Sequence, residues 1–471
     1  MTDNQKFSVS AEEREKQKEY MLLAGETVLS LFGPSPKAFV HTYGCQANVS
    51  DSERLKGMLS EMGFGFTDVL EEADLILYNT CAIREHAQDR VFGNVGALKN
   101  LRLTKKNLRI MLCGCMVQQA SVAEKIRKSY SFVDVIFGTN AGHRMPEFVY
   151  RTLAKGEKIC EIPQGDGFIC EDLPVVRDSS FKAWLPIMYG CNNFCSYCIV
   201  PYVKGRERSR DPRLIIEEAE NLVKSGYKEI TLLGQNVNSY GKSPSFGYDF
   251  SRLLREINDI EGDFIIRFMT SHPKDCTREL LDTMASCSKV AKHLHLPFQS
   301  GCNRVLKEMN RGYTREKYLE LLNYAYSVMP ELSVTSDVIV GFPGETYDEF
   351  CETLDLIRQS RFTSMFSFIY SPRPGTKAAA MPDPVPEEEK GVWFRELLAV
   401  QEEIAAKRTA ETVGKTYRVL CEGRSKQGLV SGRTGGNVII EFPGGDDCIG
   451  TFRDVTVTES LTWILRGQLC N

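Results

Sequence analysis

Short apolar runs alternate with amphipathic stretches through the first third of the chain, the pattern of strands joined by helices. Strands buried on both faces of a parallel sheet appear as continuous apolar runs. We therefore predict an open, doubly wound parallel sheet, with Ser50 or Asp51 capping its first helix. The predicted strands are Ala38–Tyr43, Leu75–Tyr78, Arg109–Cys113 and Val133–Phe137, and the predicted helices are Asp51–Met62, Arg84–Leu98, Val117–Lys128 and Gly142–Leu153.

A second and longer alternation begins at Ala183. Helical patterns fill most of its gaps, including 213–225, 278–286 and 315–328, so the repeat is that of a βα barrel. Six units rather than eight predict a partial (β/α)6 barrel. The predicted strands are Leu185–Tyr189, Glu229–Leu233, Phe264–Met269, His293–Leu296, Ser333–Val340 and Phe366–Tyr370.

The last sixty residues have a different pattern, in which glycines separate short apolar runs. They predict a small all-β barrel with strands at 416–422, 428–434, 437–442 and 455–459, after a charged helix at 387–412. The α/β chain then divides into five parts. These are an N-terminal extension (1–35) with a helix at Ala11–Phe32, the sheet domain (36–154), a linker (155–180), the partial barrel (181–410) and the small barrel (411–471).

Composition narrows the class of protein. The 471 residues include 58 Lys and Arg against 62 Asp and Glu, so the net charge of −4 excludes a uniformly basic nucleic-acid binder. The first thirty residues have no apolar core of signal-peptide type, and no run approaches a membrane span. Sixteen cysteines in such a chain indicate metal or redox chemistry in a cytoplasmic protein rather than disulfides.

Three cysteines lie close together in the loop after the first predicted barrel strand. Cys191, Cys195 and Cys198 have the spacing C-x3-C-x2-C, which suits three irons of a four-iron cluster. The fourth iron then has an open position for an external ligand. A structural zinc site is the alternative, but it needs a fourth ligand, and no second cysteine pair follows.

Three more cysteines each follow a predicted strand of the N-terminal sheet. Cys45, Cys81 and Cys115 come after the first, second and third strands, whose carboxyl ends meet at one crevice. Three convergent thiolates again suit a cluster with one open iron. The alternative is three buried structural cysteines, the role we assign to Cys113. The other nine cysteines show no metal spacing.

The motif C-x3-C-x2-C after the first strand of a βα barrel resembles the radical S-adenosylmethionine (SAM) superfamily. With the N-terminal cysteines and the terminal β-barrel, nearly the whole chain from residue 37 resembles the methylthiotransferases. This resemblance implies a radical cluster on Cys191, Cys195 and Cys198 and an auxiliary cluster on Cys45, Cys81 and Cys115. It also implies a terminal RNA-binding TRAM barrel, and the insertion of sulfur and a methyl group at an unactivated C–H bond.

The expected cofactors are two [4Fe–4S] clusters and SAM, with no catalytic residue assigned beyond the cluster ligands. Glycines at strand ends let the backbone approach a ligand closely, although each alone is equally a turn glycine. The candidate SAM contacts are Tyr197, which also suits cluster shielding, and Gly234, Gln235, Asn236 and Gly341.

A run of basic residues follows the cluster loop and predicts contact with RNA phosphates. The alternatives are that this run is a solvated loop, or that it contacts the cofactor and nearby acidic residues. The candidate RNA contacts are Lys204, Arg206, Arg208 and Arg210.

Within the family, the motifs at 79–85, 189–202, 309–314 and 371–376 resemble the branch that modifies isopentenyladenosine just 3′ of the tRNA anticodon. Ala47 and Cys302 depart from the expected methionine and serine, but neither is a cluster ligand. The alternative substrates are threonylcarbamoyladenosine in tRNA and an aspartate of a ribosomal protein. The alternatives from another class of protein are an iron–sulfur carrier and a zinc-containing RNA-binding protein.

We expect a monomer that binds the anticodon stem–loop and takes electrons from a flavodoxin or ferredoxin. No membrane partner is expected. The sequence does not define the sulfur donor.

Overall fold

The computed structural model describes residues 7–82, 85–242 and 246–470, with the backbone alone at residues 85–87. The chain forms two compact units. The first runs to Asp178 and includes Met188–Asn192 and Ile199–Arg210; the second comprises Ser179–Ile187, Asn193–Cys198 and the chain from Asp211 onward. Within the described residues, no helix is both long enough and apolar enough to cross a membrane.

The first unit is built on a six-stranded parallel sheet, which confirms the predicted doubly wound domain. The strand order is β2-β1-β3-β4-β5-β6, so the order reverses between β1 and β3. In such sheets that switch point is where ligands bind. The strands are β1 (Lys37–Thr42), β2 (Gly65–Phe66), β3 (Leu75–Thr80), β4 (Arg109–Gly114), β5 (Val135–Phe137) and β6 (Ile159–Glu161), and the helices are α1 (Ala11–Phe32), α2 (Gln46–Glu61), α3 (Glu85–Thr104), α4 (Ala120–Ser129) and α5 (Met145–Lys155).

The helix after β1 begins earlier than predicted. α2 starts at Gln46, so Ser50 and Asp51 lie inside the helix and Cys45 occupies the N-cap position. The hydrophobic pattern did not indicate this start, because the buried face of α2 carries polar residues. Among them are Asn48 and Glu53, each of which is 1% exposed. For α3, the predicted first residue, Arg84, lies outside the described residues.

The predicted extension and linker both belong to the fold of the first unit. α1 has the predicted bounds, and its Ala24 and Val28 are buried in one apolar core with Phe148 of α5. In the predicted linker, β6 adds a parallel strand to the sheet by pairing with β5. A three-residue strand with one buried position carries too little pattern to be recognised from sequence.

The second unit contains the partial barrel, as six parallel strands in two sheets of three. Short stretches of the neighbouring loop belong to the first unit. The barrel strands are β7 (Lys182–Pro186), β10 (Glu229–Leu233), β11 (Ile265–Phe268), β12 (His293–His295), β13 (Ser333–Val340) and β14 (Ser364–Ile369); the first-unit stretches are β8 (Met188–Tyr189), α6 (Val200–Lys204) and β9 (Arg208–Ser209). The helices around the barrel are α7 (Pro212–Lys224), α8 (Phe250–Asn258), α9 (Arg278–Ser286), α10 (Asn303–Glu308), α11 (Arg315–Val328) and α12 (Tyr347–Ser360).

A long helix leads into the small β-barrel, which is closed and therefore has no free strand edge. The sequence missed its last strand because the segment from Ile464 to Leu469 does not alternate cleanly between apolar and polar residues. The elements are α13 (Glu387–Ala410), β15 (Thr416–Arg424), β16 (Val430–Arg433), β17 (Ile439–Phe442), β18 (Phe452–Ser460) and β19 (Ile464–Leu469).

Candidate metal centres

The three scattered cysteines of the first unit lie at the ends of three adjacent strands. Cys45 follows β1, Cys81 directly follows β3 and Cys115 directly follows β4. These strands lie side by side in the sheet, on both sides of the switch point. Cys81 and Cys115 are buried, and Cys45 is partly exposed. The parallel topology therefore brings the three cysteines to one edge of the sheet.

Asn48, in the first turn of α2, links this group of cysteines. Its Oδ1 lies 3.7 Å from Cys45 Sγ and 3.8 Å from Cys115 Sγ. Its Nδ2 donates to the carbonyls of Tyr43 and Thr80, both at 3.0 Å. One buried amide thus fixes the loop after β1 against the end of β3.

Burial and nearby charges set the pKa of the Cys115 thiol. Burial raises the pKa of Cys115 to about 12, and repulsion from Cys45 and Cys81 adds to the shift, whereas the ammonium of Lys204 opposes it. Lys204 Nζ is itself held 2.8 Å from Asp51 Oδ2. A metal that binds the Cys115 sulfur must therefore displace its proton.

Cysteine thiolates are the donors that bind the irons of a [4Fe–4S] cluster. Across the residues whose placement is described, no three His, Cys, Asp or Glu side chains converge on one ion. A [4Fe–4S] cluster has no such requirement, since each cysteine binds a different iron. A cluster held by these three thiols would have a fourth iron without a protein sulfur.

Gly44 should be essential to the position of Cys81. A Cβ at residue 44 would lie 2.7 Å from Cys81 Cβ and 2.9 Å from its Sγ, and the φ of +123° disfavours any side chain. We expect Gly44→Ala to displace Cys81 and to weaken metal binding by this group of cysteines about 10–100-fold, the usual effect of disturbing the support of a metal ligand. Iron analysis should show a deficit confined to this group of cysteines.

The matched control is Gly63→Ala. Gly63 also has a positive φ, +89°, but no atom lies within 4 Å of the added Cβ. This variant should keep its iron. Equal iron losses in both variants would mean that backbone strain, rather than contact with Cys81, causes the defect.

The second group of cysteines follows the first barrel strand. In the first unit, the N–H of Cys191 donates to the carbonyl of Gly205 at 3.1 Å. In the second unit, the N–H of Cys198 donates to the carbonyl of Cys195 at 2.9 Å, which forms a tight turn. Asn310 supports this turn, because its Nδ2 donates to the carbonyls of Asn193 and Phe194, both at 3.0 Å.

A buried arginine contacts this loop. Arg311 Nη1 lies 3.3 Å from Cys195 Sγ and 3.4 Å from Tyr197 Oη. The sequence placed Arg311 only within a family motif, so its contact with the cysteine loop was missed. Asn48 was missed as well. Its position three residues after Cys45 is a sequence feature that indicates it, but the predicted helix began only at Asp51.

The predicted SAM contacts lie at barrel strand ends. Asn236 Nδ2 lies 2.6 Å from Asp275 Oδ2, while its buried Oδ1 has no hydrogen-bond partner among the described residues. Gln235 is partly exposed beside it. The carbonyl of Gly234 accepts from Thr270 Oγ1 at 2.7 Å. Gly341 has another reason to be glycine, since a Cβ there would lie 2.6 Å from Lys390 Cδ. None of these contacts tests SAM binding, so the assignment stays a prediction.

The structure places three of the four predicted RNA contacts inside the protein, and we withdraw them. Lys204 pairs with Asp51, and Arg208 donates to the carbonyls of Arg206 and Lys204. Arg210 lies 2.6 Å from Glu171 Oε2, in a forked ion pair. All three residues are at most 8% exposed, so they offer no surface to RNA phosphates. Arg206 is exposed and stays a candidate.

Three parts of the chain match the models of known protein families. Residues 37–138 match a family described as uncharacterized protein family UPF0004, residues 185–357 match the radical SAM superfamily, and residues 410–470 match the TRAM domain. A radical SAM methyltransferase, TsrM from Kitasatospora setae, has a similar fold, with a TM-score of 0.55 and 14% identity over 73% of this chain and 77% of that one. The fold and its cysteine loop thus define a radical SAM protein with a TRAM domain.

Relatives of nearly the same length identify the family. A tRNA-2-methylthio-N(6)-dimethylallyladenosine synthase from Thermoanaerobacter sp. (strain X514) is 47% identical over 98% of both chains. A synthase of the same name from Alkaliphilus oremlandii is 45% identical over 100% of this chain and 99% of its own. The chain belongs to the family of tRNA-2-methylthio-N(6)-dimethylallyladenosine synthases.

Proposed function

We propose that this chain converts the N6-isopentenyladenosine just 3′ of a tRNA anticodon to its 2-methylthio derivative, through abstraction of the C2 hydrogen and transfer of a methylthio group. The observation that supports the proposal is the position of Cys45, Cys81 and Cys115, which follow three adjacent strands around the switch point of the first sheet. Radical generation alone needs only the loop containing Cys191, Cys195 and Cys198. A second set of thiols in the same chain indicates a sulfur-transfer step, and the names of the family members support this assignment.

The six cysteines would hold two [4Fe–4S] clusters in two groups of three. When bound, the clusters and SAM supply the electron, the radical, the methyl group and the sulfur. The protein positions and shields these groups. Cys81, Cys115 and Cys195 are buried, which keeps water from their sulfurs. Asn48 fixes the first group of cysteines, and we assign contacts with SAM to Tyr197, Gly234, Gln235, Asn236 and Gly341.

The tRNA substrate determines the remaining partners. We propose that the anticodon stem–loop is recognised by the TRAM barrel (residues 411–471) and by Arg206, with the reaction taking place in the cytoplasm, where tRNA is modified. A one-electron donor of the flavodoxin or ferredoxin class would reduce the radical cluster, and the protein would act as a monomer.

A turnover assay tests this proposal. Anaerobically reconstituted protein is mixed with SAM, a reductant and an anticodon stem–loop that carries isopentenyladenosine, and the digested nucleosides are analysed by mass spectrometry. We expect the 2-methylthio product from this substrate and none from the same stem–loop with unmodified adenosine.

The other outcomes identify the alternatives. Product only from a threonylcarbamoyladenosine stem–loop, or only from the ribosomal protein, would move the substrate to another branch of the methylthiotransferases. If iron is bound but neither methylthio product nor 5′-deoxyadenosine forms with any substrate, the chain would be an iron–sulfur carrier.

Replacing Arg206 should weaken RNA binding without affecting the clusters. We expect Arg206→Gln to reduce the slope of log K against log[salt] by about 0.7–0.9, the effect of losing one phosphate contact. Titration of a labelled stem–loop at several salt concentrations measures this slope. Arg127→Gln is the control, since Arg127 is exposed on α4 and pairs with Glu124. An unchanged slope in Arg206→Gln would remove Arg206 from the RNA contacts.

A further inference from the structure

Arg311 is a buried cation fixed by several contacts in the second unit. The residue is 4% exposed. Besides Cys195 and Tyr197, it contacts Pro297, whose carbonyl accepts from Nη2 at 2.7 Å, and Tyr313, whose Oη lies 3.2 Å from Nε. Tyr313 Oη in turn donates to the carbonyl of Phe298 at 2.6 Å. The guanidinium plane is thereby held with one edge toward the Cys195 sulfur.

The charge of Arg311 lacks a carboxylate counter-ion in the part of the chain that the structure describes. Its neighbours there are the Cys195 sulfur, two phenol oxygens and a carbonyl. A buried charge is costly unless an opposite charge compensates it. Of these neighbours, Cys195 is the one that would carry negative charge in the proposed site, because cysteine binds iron as a thiolate.

We propose that Arg311 raises the reduction potential of the radical cluster through its hydrogen bond to the Cys195 sulfur and its positive charge. The inference rests on the proposed function, in which Cys195 binds an iron of that cluster. One-electron reduction adds a negative charge to a group that three thiolates already make anionic. A fixed cation in a buried, weakly screened place favours the reduced form, and hydrogen bonds to cluster sulfurs act in the same direction.

Geometry favours arginine over lysine at this position. The guanidinium spans Cys195 Sγ, Pro297 O and Tyr313 Oη with three different nitrogens. A lysine ammonium is a single point on a flexible stem and cannot reproduce such a fork. Arg311→Lys therefore retains charge but loses the fixed N–H donor, whereas Arg311→Gln retains an N–H donor but loses the charge.

The test is a redox titration of the full-length chain in which Cys45, Cys81 and Cys115 are replaced by alanine, so that only the radical cluster is observed. The reduced cluster is followed by electron paramagnetic resonance without SAM. At a fixed potential near the parent midpoint, Arg311→Gln should lower the ratio of reduced to oxidised cluster by about tenfold. For a one-electron couple this corresponds to about 59 mV. Arg311→Lys should show a smaller shift in the same direction.

Two controls separate a specific effect from a general one. Arg278→Gln removes an exposed arginine that pairs with Glu320 on the surface, and its midpoint should match the parent. Tyr313→Phe removes one acceptor of Arg311 but leaves its charge, so its shift should be smaller than that of Arg311→Gln. A midpoint of Arg311→Gln equal to the parent value would overturn the proposal.

A second measurement needs no substitution at Arg311. Arginine labelled with ¹⁵N in the parent chain should give a ¹⁵N coupling in the pulsed spectrum of the reduced cluster, and absence of that coupling would also overturn the proposal. If Arg311→Gln fails to bind iron, the proposal is tested by this spectrum and by the midpoint potential of Arg311→Lys. If the parent itself holds no cluster, the proposed function fails, which is distinct from a cluster whose potential ignores Arg311.

Discussion

Replacing Cys81 with alanine should eliminate the 2-methylthio product while 5′-deoxyadenosine is still formed. Cys81 directly follows β3, which lies at the switch point of the first sheet, between the strands that precede Cys45 and Cys115. In the proposed site the auxiliary cluster would then lose one of its three protein ligands, whereas the loop with Cys195 is unchanged. The measurement is the yield of both compounds in the turnover assay, with methylthio product at background and iron reduced by about half.

Cys113→Ala is the matched control for this prediction. Cys113 lies two residues before Cys115 but belongs to the apolar core of the first unit and is 3% exposed. Removing one small buried group should cost stability but leave iron and product in place. If Cys81→Ala continued to form methylthio product, Cys81 would not be a required ligand.

Arg267→Met should strongly destabilise the second unit. Arg267 Nε lies 2.7 Å from Glu229 Oε2, and the two side chains are 7% and 5% exposed. Nη2 also donates to the carbonyl of Thr434 at 3.0 Å, which joins the partial barrel to the small β-barrel. The substitution leaves the Glu229 carboxylate buried without its nearest cation. Breaking such a pair costs about 3–5 kcal/mol, so calorimetry should show a melting temperature about 10 °C lower.

The double variant Arg267→Met with Glu229→Leu distinguishes two contributions to stability. One is the destabilisation caused by an uncompensated buried charge, and the other is the stabilisation that the ion pair itself provides. Replacing both members of a buried pair with apolar groups is often close to neutral. The double variant should therefore melt at a higher temperature than Arg267→Met alone. A double variant that is less stable than the single one would show that Glu229 is adequately compensated without Arg267.

The sequence predicted elements well where pattern and capping agree. β10 and β13 have the predicted bounds, as do α9 and α11. Both helices begin after a threonine whose side chain accepts a backbone N–H, from Leu280 and from Lys317. Elements with buried polar faces or very few residues, such as α2 and β6, were misplaced or missed because their stability comes from packing rather than from periodicity.

The candidate site was predictable to the extent that topology determines it. A cysteine after each of three parallel strands must lie at one edge of the sheet. Contacts between residues far apart in the sequence were not predictable. Lys204 appeared to belong to an exposed basic run, but its partner, Asp51, is 153 residues away. Arg311 reaches Cys195 across 116 residues.

Iron analysis with Mössbauer spectroscopy tests most directly the central claim that two groups of three cysteines each hold a cluster. The reconstituted wild-type chain should contain about eight irons in two [4Fe–4S] clusters. Replacing Cys45, Cys81 and Cys115 together should leave about four irons, and so should replacing Cys191, Cys195 and Cys198. Four irons in the wild type, all lost with the second set alone, would contradict the account, as would zinc bound by the first set.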